Sequence, residues 1–429
     1  MAVSEVPHRD KPQTSDLDRC VHCGLCLNAC PTYRELRLEM DSPRGRIYQM
    51  AQVSSGAVPI TPSYIEHIDL CLACRGCESA CPSGVKYGRL VEAARAEIEA
   101  NIRRPWPTRW LRALVFRRLL PSRFSLGAVG ALLYLYEASG LQRLVRMLGL
   151  FPLRLREVES LAPEVETPFF FPYYGKVLPA EGERRYRVAF LGGCIANISF
   201  ARLNEATIRV LRKNGCEVSI PEMQTCCGAL HVHAGLREDA RKLARRNIDA
   251  LLEGDYDAII TNAAGCGSTL KEYAELVEND PAYAEKAARF SGQMKDVTEF
   301  LASIDLSGEM RPLPTSVTYQ DSCHLAHGQK IRSAPRKLLN SVPGLQFKPM
   351  ALSDLCCGSA GIYNVLHTSM SLALLRKKMD SVNATGASVI VTANPGCMLQ
   401  LRAGVRKFGR GQRVAHVVEI LDEAYRISN

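Results

Sequence analysis

CVHCGLCLNACP, residues 20–31, and CLACRGCESACP, residues 71–82, decide how this chain is read. Each sets four cysteines at C-x2-C-x2-C-x3-C before a proline: Cys20, Cys23, Cys26 and Cys30, then Cys71, Cys74, Cys77 and Cys81. Three thiolates two residues apart, on backbone that must turn, can wrap one polynuclear centre and aim N–H dipoles at its sulfurs. Pro31 and Pro82 close the loops and have no N–H to leave unpaired. Structural zinc sites usually use two C-x2-C pairs separated by a longer loop, not triplets followed by Cys-Pro. The spacing therefore specifies two [4Fe–4S] clusters.

The run is that of bacterial ferredoxins, in which the fourth cysteine ligates the other cluster. By that resemblance one cluster is held by Cys20, Cys23, Cys26 and Cys81, and the second by Cys71, Cys74, Cys77 and Cys30. Such an exchange fixes the clusters side by side. His22 and Arg75 lie between ligands; a packing or solvated role suits the first, and charge compensation or a surface position the second. Around the loops the expected structure is helical. Leu90–Ile102 has apolar residues at helical spacing, and Ser42–Gly45 reads as a turn before a short helix at Arg46–Val53. This first unit, a two-cluster ferredoxin module, spans residues 1–104.

Seventeen cysteines in 429 residues, grouped in repeated short spacings, point to metal binding rather than disulfides. The first twenty residues are polar and carry no apolar signal-peptide core, so the expected location is cytoplasmic. The formal charge of +10 falls once thiolates and clusters are counted. With no recognition motif beside a basic patch, it does not argue for nucleic acid.

Beyond residue 185 the chain repeats itself. RVAFLGGC, CEVSIPEMQTCCG and AIITNAAGCG in residues 186–310 answer to SVTYQDSCH, LQFKPMALSDLCCG and SVIVTANPGC in residues 311–429. Helices are expected at Phe200–Lys213, Glu238–Leu252, Ala334–Ser341, Ser369–Ala384 and Leu399–Phe408, and RVAHVVEIL closes the second half before a last helix. Strands alternating with helices give parallel βαβ units, and apolar runs such as VAFL, AII and VIV suit strands covered on both faces. The expected fold is thus α+β and multidomain: a helical ferredoxin module followed by two repeated α/β domains with parallel sheets. Each half has one cysteine, a Cys-Cys-Gly pair and another cysteine: Cys194, Cys226, Cys227 and Cys266, then Cys323, Cys356, Cys357 and Cys397. The gaps are 32 and 39 positions in the first half, 33 and 40 in the second. Each follows a predicted strand, so four thiols should gather at the carboxyl edge of each sheet, where open α/β folds build their sites. A tetrathiolate set suits an iron–sulfur cluster or zinc.

QTCCGALHVHAG (224–235), YQDSCHLAHGQ (319–329) and LCCGSAGIYN (355–364) resemble the CCG-domain family. It is found in heterodisulfide reductase subunits and in iron–sulfur subunits of respiratory hydroxyacid oxidoreductases. Of these, the glycolate type is most similar, with the lactate and glycerol-3-phosphate types as alternatives. The resemblance implies an electron-transfer subunit of an oxidoreductase that does not oxidise substrate alone. It implies an FAD-containing hydroxyacid dehydrogenase partner and a quinone or other acceptor. In the sequence itself no G-x-G-x-x-G stands between a strand and a helix to bind a dinucleotide. One departure bears on the heterodisulfide or thiol reductase alternative. That pattern ends in C-x2-C, whereas Cys266 is followed by Gly-Ser-Thr and Cys397 by Met-Leu-Gln. Four cysteines per half still suffice for one ordinary cluster, and at least one further iron–sulfur cluster is expected here.

His231, His233, Asp321, His324 and His327 crowd these motifs. They suit proton exchange at a quinone or support of the ligands, and equally well hydrogen bonds that cap loops. Cys216 lies outside every motif and reads as a core filler. Residues 105–185 form a basic, proline-containing connector. FSLGAVGALLYLY (124–136) is too short to span a bilayer. Arg117, Arg118, Arg123, Arg143 and Arg146 flank its apolar faces, a pattern for packing against a partner subunit or for peripheral contact with the inner face of a membrane.

Overall fold

A computed structural model describes residues 10–149, 159 and 164–426. The first unit is helical. Its main helices, Pro43–Ser54, Pro62–Asp69 and Tyr87–Asn101, pack Ile47, Met50, Ile68, Leu90, Val91 and Ile98 into one apolar core beneath the cysteine loops. Leu90, Val91, Ala94 and Ile98 recur at helical spacing, which is why one face of Tyr87–Asn101 is buried. Ser42–Gly45 is not a free turn before a helix. Ser42 caps Pro43–Ser54, its hydroxyl accepting from Gly45 N at 3.0 Å, and Pro43 takes the first helical position.

The repeat forms two sheets of one topology. The first contains β1 (Val177–Leu178), β2 (Tyr186–Phe190), β3 (Cys216–Ser219), β4 (Ala258–Thr261) and β5 (Met294–Asp296), in the order β1-β3-β2-β4-β5. The second contains β6 (Ser316–Tyr319), β7 (Gln346–Phe347), β8 (Val389–Thr392) and β9 (Arg413–His416), in the order β7-β6-β8-β9. All neighbours run parallel except β1, which pairs antiparallel with β3 through Val177–Ser219 and Leu178–Val218. The strands β4 and β8 are buried at every position, as their unbroken apolar runs require. Both halves end alike: Asp296 and His416 each form a capping box, with Glu299 and Glu419, at the start of the next helix.

The halves share one apolar core, in which Val188, Phe190 and Ile260 join Val317, Tyr319 and Val391. Arg209 on helix Ala201–Lys213 reaches Asp422 on helix Val417–Tyr425 with two bonds of 2.8 Å. Cys216 is fully buried in this core. The connector adds helices Trp106–Ala113, Arg123–Ala138 and Leu141–Leu148, with a π-helical turn at Leu114–Leu119. The side chain of Arg146 lies outside the described residues. Among the described residues no single helix is long and apolar enough to cross a membrane.

Candidate functional site

The two cysteine loops of the first unit share an unusual backbone. His22 and Gly24 have φ of 53° and 86°, and the residues at the same places in the second loop, Ala73 and Arg75, have 50° and 61°. Three of these four are not glycine, and such conformations are maintained only where surrounding structure over-determines them. Alternating right- and left-handed residues turn successive N–H groups to one side, making a nest that favours negative charge. Identical sulfur spacing therefore comes with a matching, strained cradle in which the same two positions take positive φ.

One cleft at these loops is lined by Cys20, Cys23, Cys26, Cys77 and Cys81. A second is lined by Cys30, Cys71, Cys74 and Cys77. The fourth cysteine of each run thus stands with the triplet of the other. Burial pushes the Cys26 thiol up to about 11, and raises Cys74 and Cys77 well above the ordinary thiol value; neighbouring sulfurs add to each. Buried thiols so close together ionise only if a cationic centre takes up the charge, which is what a metal cluster supplies. The second cleft has more help. Thr32 Oγ1 is 3.3 Å from Cys30 Sγ, the Tyr87 hydroxyl donates to Cys71 Sγ at 3.6 Å, and Ala73 N donates to the same sulfur at 3.4 Å.

Arg46, which sequence reading passed over, lines that cleft and is 1% exposed. Its guanidinium donates to His67 O at 2.7 Å, Thr32 Oγ1 at 3.1 Å and Asp41 Oδ1 at 3.3 Å. The available signal was positional: Arg46 precedes the core residue Met50 by four, so a charge occupies the buried face of that helix. Arg95 was missed too; it donates to the carbonyls of Ile68 and His233, tying the first unit to the first half of the repeat.

In the repeat, each four-cysteine set forms a chain of sulfur contacts. Cys194 meets Cys226, which meets Cys227, which meets Cys266. Cys323, Cys356, Cys357 and Cys397 do the same in the second half. The Cys226 contact and burial push the Cys194 thiol up, and the Cys323 contact, then burial, does so for Cys356. Gly228 and Gly358 turn the chain at φ of 82° and 91°, and each donates its N–H to the sulfur two residues back at 3.5 Å. Cys266 and Cys397 lie not in loops but in the first turns of helices Ala264–Lys271 and Pro395–Phe408, where the helix dipole favours a thiolate. Among the described residues no three or more His, Cys, Asp or Glu converge as ligands of a single ion. Thiolates that bond different irons of one cluster need not converge on a point, so the sulfur set fits a polynuclear centre.

The second set adjoins the first unit. The field of Cys356 reaches Cys74, and Leu72 packs with Cys356, Tyr363 and Leu374 beside Cys74 and Cys323. The Tyr363 hydroxyl donates to Leu70 O at 3.1 Å. The histidines serve the same junction. His324 Nε2 donates to Ala73 O at 3.0 Å, and burial pushes its ring down to about 3, so it is neutral. His327 Nδ1 lies 2.8 Å from Ser79 Oγ and its Nε2 is 3.0 Å from Asp354 O. His231 Nε2 donates to Phe116 O at 2.7 Å, anchoring the connector. His233 Nδ1 lies 3.2 Å from Glu92; burial opposes that carboxylate's charge, but His233, Arg237 and Arg75 hold it below the usual range. Asp321 takes two 2.7 Å bonds from Arg336, and Arg75 pairs with Glu78 and Glu272.

Family comparisons agree with this geometry. Residues 16–85 match the 4Fe-4S dicluster domain, and 188–271 and 317–402 match the cysteine-rich domain. Residues 107–162 match the linker region of the glycolate oxidase iron-sulfur subunit. The chain is 42% identical over 424 residues to a probable glycolate oxidase iron-sulfur subunit of Bacillus subtilis, covering 97% of this chain and 96% of that one. It is 34% identical to the glycolate oxidase iron-sulfur subunit of Escherichia coli, over 96% and 94% of the two chains. This chain belongs to the family of glycolate oxidase iron–sulfur subunits. As a member of it, the chain is an electron-transfer iron–sulfur subunit of an oxidoreductase complex and carries iron–sulfur clusters. The likeness extends to a chain of the CoM/CoB fumarate reductase of Methanothermobacter marburgensis, 28% identical over 99% of this chain and 75% of that one.

Proposed function

We propose that this chain relays electrons from an FAD-containing 2-hydroxyacid dehydrogenase subunit of glycolate type towards a quinone, as the iron–sulfur subunit of their complex. Cys20, Cys23, Cys26 and Cys81 hold one [4Fe–4S] cluster, and Cys71, Cys74, Cys77 and Cys30 the other. Cys194, Cys226, Cys227 and Cys266, with Cys323, Cys356, Cys357 and Cys397, hold at least one further cluster. Such clusters supply one-electron storage at potentials set by burial, charge and N–H bonds to sulfur. The units divide at residues 104, 185 and 310, and the complex works on the inner face of the cell membrane.

One observation carries the reading: the cysteines lead from the exposed Cys23, by the buried second loop, to the second cysteine set of the repeat. Cys23 is exposed beside the exposed Val21 and Leu25, a surface suited to a partner subunit. Cys30, Cys71 and Cys77 are buried behind it, and Cys74 faces Cys356. The residues of this chain exclude water from those sites and set their electrostatics. Arg46 compensates negative charge at Cys71 and Cys30, and the paired loop nests aim dipoles inward. His324, His327 and Tyr363 hold the first unit against the second half of the repeat.

The test is Cys23→Ser in the complex isolated without oxygen. The wild-type chain should carry iron and sulfide at about eight atoms each for the ferredoxin loops alone, more if the repeat is filled. In the variant the flavin subunit should still reduce an artificial dye with hydroxyacid, while quinone reduction fails. Quinone reduction at the wild-type rate would refute the relay.

A further inference from the structure

The connector does no work in the relay, yet its composition is extreme. Between residues 103 and 148 stand nine arginines, no lysine and a single carboxylate, Glu137. Its inner side is committed to the fold. Phe116 and Leu120 pack with Cys226 and Leu243, and at Gly130 a Cβ would come within 3.1 Å of Ile198, so helix Arg123–Ala138 lies hard against the first half of the repeat. Four of the arginines are paired with carboxylates of the protein: Arg104 and Arg112 with Glu99, Arg117 with Asp239, Arg123 with Glu222.

The outer side has no such partners. Trp106, Trp110, Phe124, Leu132, Leu135 and Met147 are each more than 60% exposed. Among the described residues Arg109, Arg118 and Arg143 make no ion pair. The apolar residues are spread over helices that bend by 109° at the break after Leu119, so they cannot line up as one spanning rod. Large exposed apolar side chains beside guanidiniums without ion pairs are the pattern of an interfacial membrane surface. Tryptophan favours the headgroup layer, and arginine can bury its stem while its charged end stays at phosphates.

We propose that this outer face of the connector rests on an anionic phospholipid surface and seats the first cysteine set of the repeat close to the bilayer. Phe116 belongs to the same helical layer and shares one apolar cluster with Cys226, so a layer one helix thick, roughly 10 Å, lies between that set and the outer face. The inference rests on the membrane-side reading given above and supplies the surface that accomplishes it. The charge complement is with phosphate: each arginine near an anionic surface strengthens binding about fivefold.

Both tryptophans of the chain, Trp106 and Trp110, lie on this face, so its intrinsic fluorescence reports contact. With the full-length, cluster-loaded chain, phosphatidylcholine vesicles containing phosphatidylglycerol should shift the emission to the blue and sediment the protein. Added salt should weaken both effects, and pure phosphatidylcholine should produce neither. Arg109→Gln, Arg118→Gln and Arg143→Gln together should weaken binding roughly a hundredfold with iron content unchanged. Replacing Trp106 and Trp110 by serine should weaken sedimentation, again with full iron. No shift and no sedimentation with anionic vesicles would overturn the proposal. So would a blue shift that needs partner subunits and no lipid, which would make the face a protein interface. A chain that binds vesicles but takes no electrons from the flavin subunit would uphold this surface and refute the relay; the opposite result would refute the surface alone.

Discussion

Gly228 and Gly358 occupy the same place in the two halves of the repeat, and alanine at each should have different consequences. Both have φ far into the left-handed region, at 82° and 91°, so each substitution carries a backbone cost of about 1–2 kcal/mol. At Gly228 a Cβ would meet nothing nearer than Ala240, at 3.5 Å, which is ordinary contact. At Gly358 it would stand 2.6 Å from Ser371 O. That oxygen belongs to helix Thr368–Thr385 and has to retreat by nearly 1 Å to reach ordinary contact. The retreat disturbs Ser371 Oγ, which donates to Gly358 O at 2.8 Å and accepts from Gln400 Nε2 at 2.8 Å; both bonds are buried, and each is worth about 1 kcal/mol. Gly358→Ala should therefore cost about 3–5 kcal/mol, against about 1–2 for Gly228→Ala. Amide exchange reads this locally. Helix Thr368–Thr385 should lose protection in Gly358→Ala, and helix Arg237–Leu252 should change far less in Gly228→Ala. Iron loss should likewise be greater in the first variant. Equal losses of protection in the two helices would refute the argument that contact with Ser371 distinguishes the two turns.

Stability should fall in acid for a reason located at His416. Its ring is fully buried, accepts from Val418 N at 3.2 Å through Nδ1, and is pushed by burial down to about 4. The unfolded chain takes up that proton near pH 6.5, so stability is lost as pH falls from about 6.5 to 4, by up to roughly 3 kcal/mol. His416→Asn keeps a capping acceptor and should flatten that part of the pH profile; an unchanged slope would discount His416. Asp422→Asn should loosen the joint between the halves by about 1–2 kcal/mol, because Arg209 and Arg426 both lose their carboxylate while remaining partly in water. Faster proteolysis within residues 304–315, the segment that joins the halves, would register it, and an unchanged rate would assign the joint to apolar packing alone.

The parts of the fold legible in sequence are those whose environment leaves the least choice. The strands VAFL, AIIT and VIVT are covered on both faces, so their residues must be apolar throughout, and each half states the same pattern twice over. The strand Met294–Asp296 gave no such sign. It is three residues long, two of them charged, and exists because Ile259, Ile260 and Thr261 offer it an edge. RVAHVVEIL, read as a segment before the last helix, divides at His416: Arg413–His416 is a strand, and a capping box with Glu419 already starts the helix within it. The Ser42–Gly45 stretch misled in the same way, since residues that make turns also begin helices.

For the site, spacing picked out the cysteine runs, because a cluster takes several ligands at short intervals, and the exchange of the fourth cysteine came from the resemblance to bacterial ferredoxins. What it could not disclose was everything that acts across the chain. Arg46 reaches a cleft whose other walls come from residues 30 and 71–77, and Arg95 joins Ile68 to His233. The histidines beside the cysteine pairs drew attention for their chemistry, but each is bound to a neighbour: His324 to Ala73, His327 to Ser79 and Asp354, His231 to Phe116. Burial lowers the rings of three of the four, His231, His324 and His327, and these bonds hold the units in register. The connector was the least readable stretch for the same reason. Arginine beside leucine fits a core edge, a partner or a lipid surface equally well until it is known which arginines already have carboxylates. Arg104, Arg112, Arg117 and Arg123 do; Arg109, Arg118 and Arg143 have no carboxylate in contact among the described residues, and that division marks which guanidiniums are left to meet an outside anion.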